Sequence, residues 1–366
     1  MAPIDRVREL LERRSWAGLV LTRPGPVAWA IPGINPPIDR TAAIDTVWVA
    51  IGADTCTVIT TTVEERRVTE ELLPEGVRLQ SVPWWDTDAM VVAAVDALGI
   101  PVREIAADGH HAFGIDADHE LTRERLQLDA DEIHRLGELG RRATLAVESA
   151  LRAWEPGQTD TQVAARIASG VESFGADAPV LLVGADERLV RYRHPVAVGA
   201  RTHDCVMAVL VARHQGLHVA LTRYVAAGDT AQLEAQLDVV RGIHRNVLAI
   251  GRPGRTYGDV LTVLADSYTE SGAPDAWMEH YQGGPIGYGQ REFEISPAQS
   301  MSPWWHEVIA PNTAVAWNPS LAGGLKDEDT YLISADGAEL ITTSSQWPMD
   351  DDSEFPRPRV LHLGSM

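Results

Sequence analysis

The chain has 366 residues, 45% of them apolar and 23% charged, and carries a formal charge of −21. That size suits two domains, or one large domain with an attached lobe, and the composition is that of an ordinary soluble globular protein. The acidity repels a phosphate backbone, which argues against nucleic acid as a partner and leaves a cationic or zwitterionic small molecule as the more compatible ligand. No apolar run is long enough to span a bilayer, and the opening residues enter an amphipathic helical pattern without a signal-peptide core. Cys56 and Cys205 both sit in apolar strand-like runs and read as buried thiols. The expectation is a cytoplasmic protein with no membrane contact.

In chain order, Ile4, Val7, Leu10 and Leu11 share one helical face, and Ala17–Thr22 follows as a buried strand. Strand-like runs recur at Thr46–Ile51, Thr57–Thr61 and Val102–Ala107. This alternation predicts a small α/β lobe over residues 1–125. From Leu128 the character changes. Asp129-Ala130-Asp131-Glu132 is an acidic helix start, and Ile133, Leu136, Leu139, Ala143, Ala146 and Leu151 give a long helix its stripe. Gly157 breaks it, and Thr159-Asp160-Thr161-Gln162 has capping-box spacing for a second helix running to Gly175. Asp229 is expected to cap a helix striped by Leu233, Leu237, Val240, Ile243 and Val247 and ending at Gly251. Another runs from Gly258 to about Gly272. A catalytic-type domain is expected over 126–346, and residues 347–366 read as a solvated or loosely docked tail.

Three segments near the end carry the chemistry: His280-Tyr281-Gln282-Gly283-Gly284-Pro285-Ile286-Gly287-Tyr288-Gly289-Gln290-Arg291-Glu292, then Ala316-Trp317-Asn318-Pro319, then Lys326-Asp327-Glu328-Asp329-Thr330. Their layout resembles the closing half of the M24-type pita-bread hydrolases (methionine aminopeptidase, aminopeptidase P, prolidase, creatinase), which read G-H-G-I-G-x-x-x-H-E, E-P-G and E-D-T. Leu19-Val20-Leu21-Thr22 with Val27-Ala28-Trp29 resembles the start of the creatinase-type N-terminal domain. The resemblance implies an α/β fold: a small creatinase-like lobe followed by a pita-bread domain built from two similar α/β halves.

Metal-dependent members of that group hold two divalent cations with Asp, Asp, His, Glu and Glu, because paired dications need several hard anionic donors and a bridging water. Placed by the flanking motif residues, these positions fall on Val209, Ala220, Gly284, Asn318 and Glu328. One carboxylate cannot hold two ions, so the expectation is a metal-independent protein without a cofactor. A different metal site would need His110, His111, His203, His214 or His218. Only His214 and His218 have H-x-x-x-H spacing, and they flank a Gln215-Gly216 turn, so all five read as structural or surface histidines.

Creatinase shows what the resemblance implies without metal: a histidine acid/base, with carboxylates holding a cationic substrate. His194, in Arg191-Tyr192-Arg193-His194-Pro195, maps onto the substrate-side histidine of the family. By its neighbours alone it is a loop histidine beside two arginines; the family position favours proton transfer. Glu328, on an apolar strand without metal, must find a cation or a proton, and Glu292 with Glu328 would orient substrate or water. Arg291 replaces the second family histidine. It either pairs with Glu328 or Glu292 or grips a substrate carboxylate, and both remain open. His218 shares a strand face with Ala220 and Thr222, or is an edge histidine. Tyr288, Gln282, Asn318 and Trp317 are expected to flank the cavity, and Trp304-Trp305 to close it or to pack. Asn318 in place of the second carboxylate speaks against creatine.

The leading expectation is C–N bond hydrolysis of a small amino-acid-like or carboxylated amine, with His194 as acid/base. A metal-free lyase, isomerase or cyclase of a specialised biosynthetic pathway is the alternative, and a non-catalytic binding or scaffold protein the second. Creatinase-like relatives dimerise through their N-terminal lobe, so the resemblance implies a homodimer with Trp84-Trp85 reaching the neighbouring subunit.

Overall fold

The computed structural model describes residues 2–34, 38–109, 111–321, 325–350 and 353–364, so His110 lies outside the described residues. It divides into two compact units, Met1–Arg125 and Leu126–Met366.

The first unit is a six-stranded sheet in the order β4-β3-β2-β1-β5-β6. Its strands are β1 (Gly18–Leu21), β2 (Val47–Ile51), β3 (Cys56–Thr61), β4 (Arg78–Val82), β5 (Ile105–Ala107) and β6 (Ile115–Asp116). Between them lie α1 (Pro3–Arg14), α2 (Pro24–Ala30), α3 (Glu65–Arg67) and α4 (Ala89–Leu98). The α1 stripe buries Val7, Leu10 and Leu11. β4 has no apolar run to betray it: only Val82 is buried, as suits a strand at the end of a sheet. Val102–Glu104 is a 3-10 turn that delivers the chain to β5 rather than part of the strand.

The second unit begins after α5 (Asp118–Leu126) and repeats one plan twice. A helix pair, α6 (Ala130–Arg152) and α7 (Asp160–Glu172), precedes β7 (Asp177–Ala185), the short α8 (Glu187–Arg191), β8 (Cys205–His214) and β9 (Leu217–Ala226). A second pair, α9 (Ala231–Ile250) and α10 (Tyr257–Glu270), precedes β10 (Gly283–Pro285), β11 (Thr313–Trp317), β12 (Asp329–Ser334) and β13 (Gly337–Leu340). The strands join as β10-β11-β12-β9-β8-β7, so the two halves meet where β12 pairs with β9. Asp129 and Thr159 cap α6 and α7 with complete capping boxes. Asp229 lies one residue outside the N-cap of α9, which is Thr230, and accepts from Ala231 N–H. Thr256 and Asp259 form a third capping box, on α10.

Of the two expectations for the tail, solvated or loosely docked, the structure shows a docked one. β14 (Met349–Asp350) pairs with β15 (Arg357–Pro358), and β16 (Leu361–His362) runs parallel to β9. Phe355, Arg357, Val360 and Leu361 are all buried. Prolines and aspartates make this stretch read as solvated, but its spaced apolar residues dock and Arg357 answers a pair of buried carboxylates.

Among the described residues, no helix is long and apolar enough to cross a membrane.

Candidate active site

Register assembles the site. Val209 pairs with Thr222, and Val211 with Ala220. Thr222 N–H donates to Glu328 O, one residue beyond the Leu221–Asp329 pair. Ala316 pairs with both Thr330 and Gly284. Residues directly opposed across a sheet share a face, as do residues two apart along a strand. Val209, Ala220, Thr222, Gly284, Asn318, Glu328 and Thr330 therefore share one face. Gly283 permits the close approach there: at its φ of +86°, a Cβ would lie 2.2 Å from Ala316 O.

The opposite face is closed. Val315, Trp317, Tyr331 and Ile333 pack with Ile243, Val247, Val260, Leu261 and Leu264 of α9 and α10. Beside them runs a dense ion network, in which His244 Nε2 is the one buried side-chain atom without a hydrogen-bond partner among the described residues. Arg357 donates to Asp327 (2.7 Å) and Asp329 (2.9 Å), and Arg223 to Asp329 (2.8 Å) and Glu148 (3.2 Å). Thr342 Oγ1 donates to Asp329 and His244 meets Asp327 at 2.9 Å.

The first face gathers a different set. Lys326 Nζ lies 3.1 Å from His280 Nε2, and the His280 and His194 rings lie 5.1 Å apart, tilted by 37°. Both histidines, with Arg193, line a cavity of about 760 Å³ whose walls include Trp277, Met278 and Ile295. Burial, Lys326 and Arg193 hold His194 below its usual 6.5, and burial with Lys326 drives His280 down to about 2. Burial likewise lowers Lys326 to about 8 and raises Glu328 to about 7, although the two attract and Arg291 adds its charge to Glu328. Arg291 pairs through Nε with Glu294 (2.9 Å), while its buried Nη1 has no hydrogen-bond partner among the described residues. Asn318 Oδ1 is likewise buried without one.

Of the expected site residues, His194 lies in the cavity wall, Arg291 is near enough to Glu328 to act on its charge, and Asn318 is buried on the same sheet face as Glu328. Arg291 bonds neither Glu292 nor Glu328 directly; its ion pair is with Glu294.

The remaining candidates have partners of their own. Trp317 faces the helices and is core. Gln282 touches the cavity, but its side chain is committed: Nε2 donates to Trp277 O and His280 O, and Oε1 accepts from the Tyr268 hydroxyl. Tyr288 accepts from Arg135 of α6 (3.0 Å), which makes it a tether for the glycine-rich loop. Glu292 folds back to accept from Gly289 N–H (3.0 Å) and braces the same loop. His218 bonds Gly287 O through Nδ1 (3.0 Å), and burial lowers it to about 4, so it is a neutral strut. Trp304 stacks on Phe293 at 4.2 Å, and Trp305 fills the space left by Gly258, so both pack. Loop residues beside glycines look free in a sequence because their partners come from distant elements.

His280 and Lys326 were not singled out in the sequence, although both lie in the motif segments. The missed signal was compositional: Lys326 is the only lysine in the chain, against 30 arginines.

The donors present do not fit two divalent ions. Of the five mapped positions, Val209, Ala220 and Gly284 have no donor side chain, Asn318 is neutral, and Glu328 stands beside two cations. Among the described residues, no three His, Cys, Asp or Glu side chains are grouped to hold a metal.

A curved pairing of two helix-hairpin halves around one charged sheet face defines the pita-bread class. The chain belongs to metallopeptidase family M24, whose model matches residues 132–335. It is similar to the Xaa-Pro dipeptidase of Pyrococcus furiosus, at 22% identity over 213 residues, which are 56% of this chain and 59% of that protein. The chain therefore matches less than two thirds of that curated relative's length. Among solved structures it resembles the prolidase from Pyrococcus horikoshii OT3 (TM-score 0.76, 16% identity, 94% of this chain and 98% of that one). It also resembles an Xaa-Pro dipeptidase from Bacillus anthracis (TM-score 0.75, 21% identity, 99% of each chain).

Proposed function

We propose that this chain is a metal-independent hydrolase that cleaves a C–N bond in a small carboxylated amine. The observation that carries this reading is the exchange of charge on the site face. Positions expected to supply anionic donors hold Val209, Ala220, Gly284 and Asn318, while Lys326 and Arg291 flank the one carboxylate. Such a face repels dications and favours an anionic group. Arg291 Nη1, buried and unpartnered, suits one oxygen of a substrate carboxylate.

Acid and base are separated by environment. His194, held below its usual value, is neutral at physiological pH and can take a proton from water. Glu328, pushed up to about 7, retains a proton in part of the population and can deliver it to the departing amine. The two histidines, both held neutral, also suit proton abstraction from carbon, which keeps the lyase or isomerase reading as the alternative.

Elemental analysis of the purified protein, before and after incubation with manganese, cobalt, zinc and iron, tests the reading directly. We expect no stoichiometric metal, and turnover of a carboxylated-amine panel that resists chelators and is lost in His194→Ala. Stoichiometric metal with chelator-sensitive dipeptide cleavage would restore a prolidase-type activity.

A further inference from the structure

We propose that Lys326 is a nucleophilic amine that forms an imine with the carbonyl carbon of a small oxo acid. It rests on the cavity of the proposed function being a ligand site, which Lys326 meets through His280 of its wall, but it does not rest on hydrolysis.

The first ground is chemical. At 30 positions this chain uses a guanidinium wherever it needs a cation, including the buried pairs of Arg223 and Arg357. A guanidinium does not lose its proton in a protein and offers no lone pair, whereas an amine does. The one position that departs from arginine is 1% exposed and next to Glu328 on the site face.

The second ground is geometric. Arginines buried in this unit are fixed by carboxylates, but no ion pair within 4 Å holds Lys326 among the described residues. Its Nζ is bonded to His280 Nε2 at 3.1 Å, and His280 is part of the cavity wall. An amine whose hydrogen-bond partner is a neutral imidazole, with Arg193 and Arg291 opposing the pull of Glu328 on its charge, is arranged as imine-forming lysines are. The third ground is the neighbouring donor: Arg291 Nη1 is free to hold the carboxylate of an oxo acid.

The step balances within the site. The Nζ lone pair forms the C–N bond as the carbonyl π pair moves to oxygen. That oxygen takes the Glu328 proton, and the carboxylate so formed accepts the proton leaving nitrogen. Glu328 then gives that proton to the hydroxyl, which departs as water while the nitrogen lone pair closes the C=N bond. The iminium proton passes back to Glu328, which restores it, and His280 Nε2, held neutral, positions Nζ throughout. One amine and one carbonyl give one imine and one water, without oxidation or reduction.

The single lysine makes the test clean, because its only rival amine is the α-amino group. The folded full-length chain is incubated with glyoxylate and sodium cyanoborohydride, which reduces an imine to a stable secondary amine, and is then mapped by peptide mass spectrometry. We expect a carboxymethyl group on the peptide containing Lys326, appearing about tenfold or more faster in the folded chain than in urea. In Lys326→Arg the label should be confined to the α-amino group. Labelling of Lys326 no faster in the folded chain than in the unfolded one, or labelling of the α-amino group alone, overturns the proposal. Both results come from the natural chain, so they stand even where the variant fails to fold. A chain that traps glyoxylate at Lys326 yet hydrolyses no carboxylated amine loses the earlier reading and keeps this one.

Discussion

Lys326-Asp327-Glu328-Asp329 presents two kinds of buried charge on opposite sides of one strand entrance. Asp327 and Asp329 turn to the helix side, where Arg357, Arg223, His244 and Thr342 meet their oxygens. Lys326 and Glu328 turn to the other face, where His280 of the cavity wall is the only hydrogen-bond partner of Lys326 Nζ among the described residues. Burial is nearly equal: Asp329 is 0% exposed, Lys326 1% and Glu328 3%. Desolvation therefore does not separate the two sets; the number of hydrogen-bond partners does. A charge whose partners are all internal stabilises the fold, whereas a buried charge lacking them is held at a cost and is available to a ligand.

The sharpest way to break this contrast is Arg357→Met. It leaves Asp327 and Asp329 buried beside each other without their shared cation, and removing one member of a buried pair costs about 3–5 kcal/mol. Urea denaturation should show that loss, and the far-UV spectrum should be retained at low denaturant. A loss below about 1 kcal/mol would mean that Arg357 does not hold the two carboxylates as described.

Glu328→Gln should act in the other direction. Burial raises the folded-state value of Glu328 from 4.5 to about 7. A raised value means that its contribution to stability is full below about 4.5 and is lost as pH rises through about 7. The natural chain should thus lose roughly 2–3 kcal/mol relative to Glu328→Gln between those limits, the size expected for that shift. The same variant should lose turnover. Paired denaturation curves at pH 4.5 and pH 8 decide the matter. A difference that does not change with pH would show that Glu328 titrates as an exposed carboxylate does.

Much of the scaffold was legible before any coordinates. Capping boxes at Asp129 and Thr159, the α6 stripe and the two α/β halves follow from local spacing, which tertiary packing only confirms. Family position led to His194, which lies in the cavity wall, and to Glu328, Arg291 and Asn318, which are at most partly exposed in the same half of the unit. The site was least legible where identity had to be judged without partners. Tyr288, Glu292 and His218 look like free polar groups, and each is tied to the glycine-rich loop or from it to α6. The tail was left open between solvated and docked because the two carboxylates that draw Arg357 inward lie about 30 residues earlier, at the start of β12.

The smallest expected difference is also the most discriminating, because it compares like with like. Thr342 and Thr222 are both buried threonines, one on each side of the contrast. Thr342 Oγ1 donates to Asp329 (2.7 Å) and accepts from Thr330 N–H (3.0 Å). Thr222 Oγ1, opposite Glu328 in register, has no hydrogen-bond partner among the described residues. Valine preserves shape and deletes the hydroxyl in either place. Thr342→Val strands an N–H and a carboxylate oxygen, so it should cost about 1–3 kcal/mol. Thr222→Val strands nothing and removes an unsatisfied hydroxyl, so its stability should change by less than about 0.5 kcal/mol or rise. Equal losses in urea would mean that the cavity face is as internally satisfied as the helix face. The charges on it would then be structural, and a ligand would have no unsatisfied group to meet.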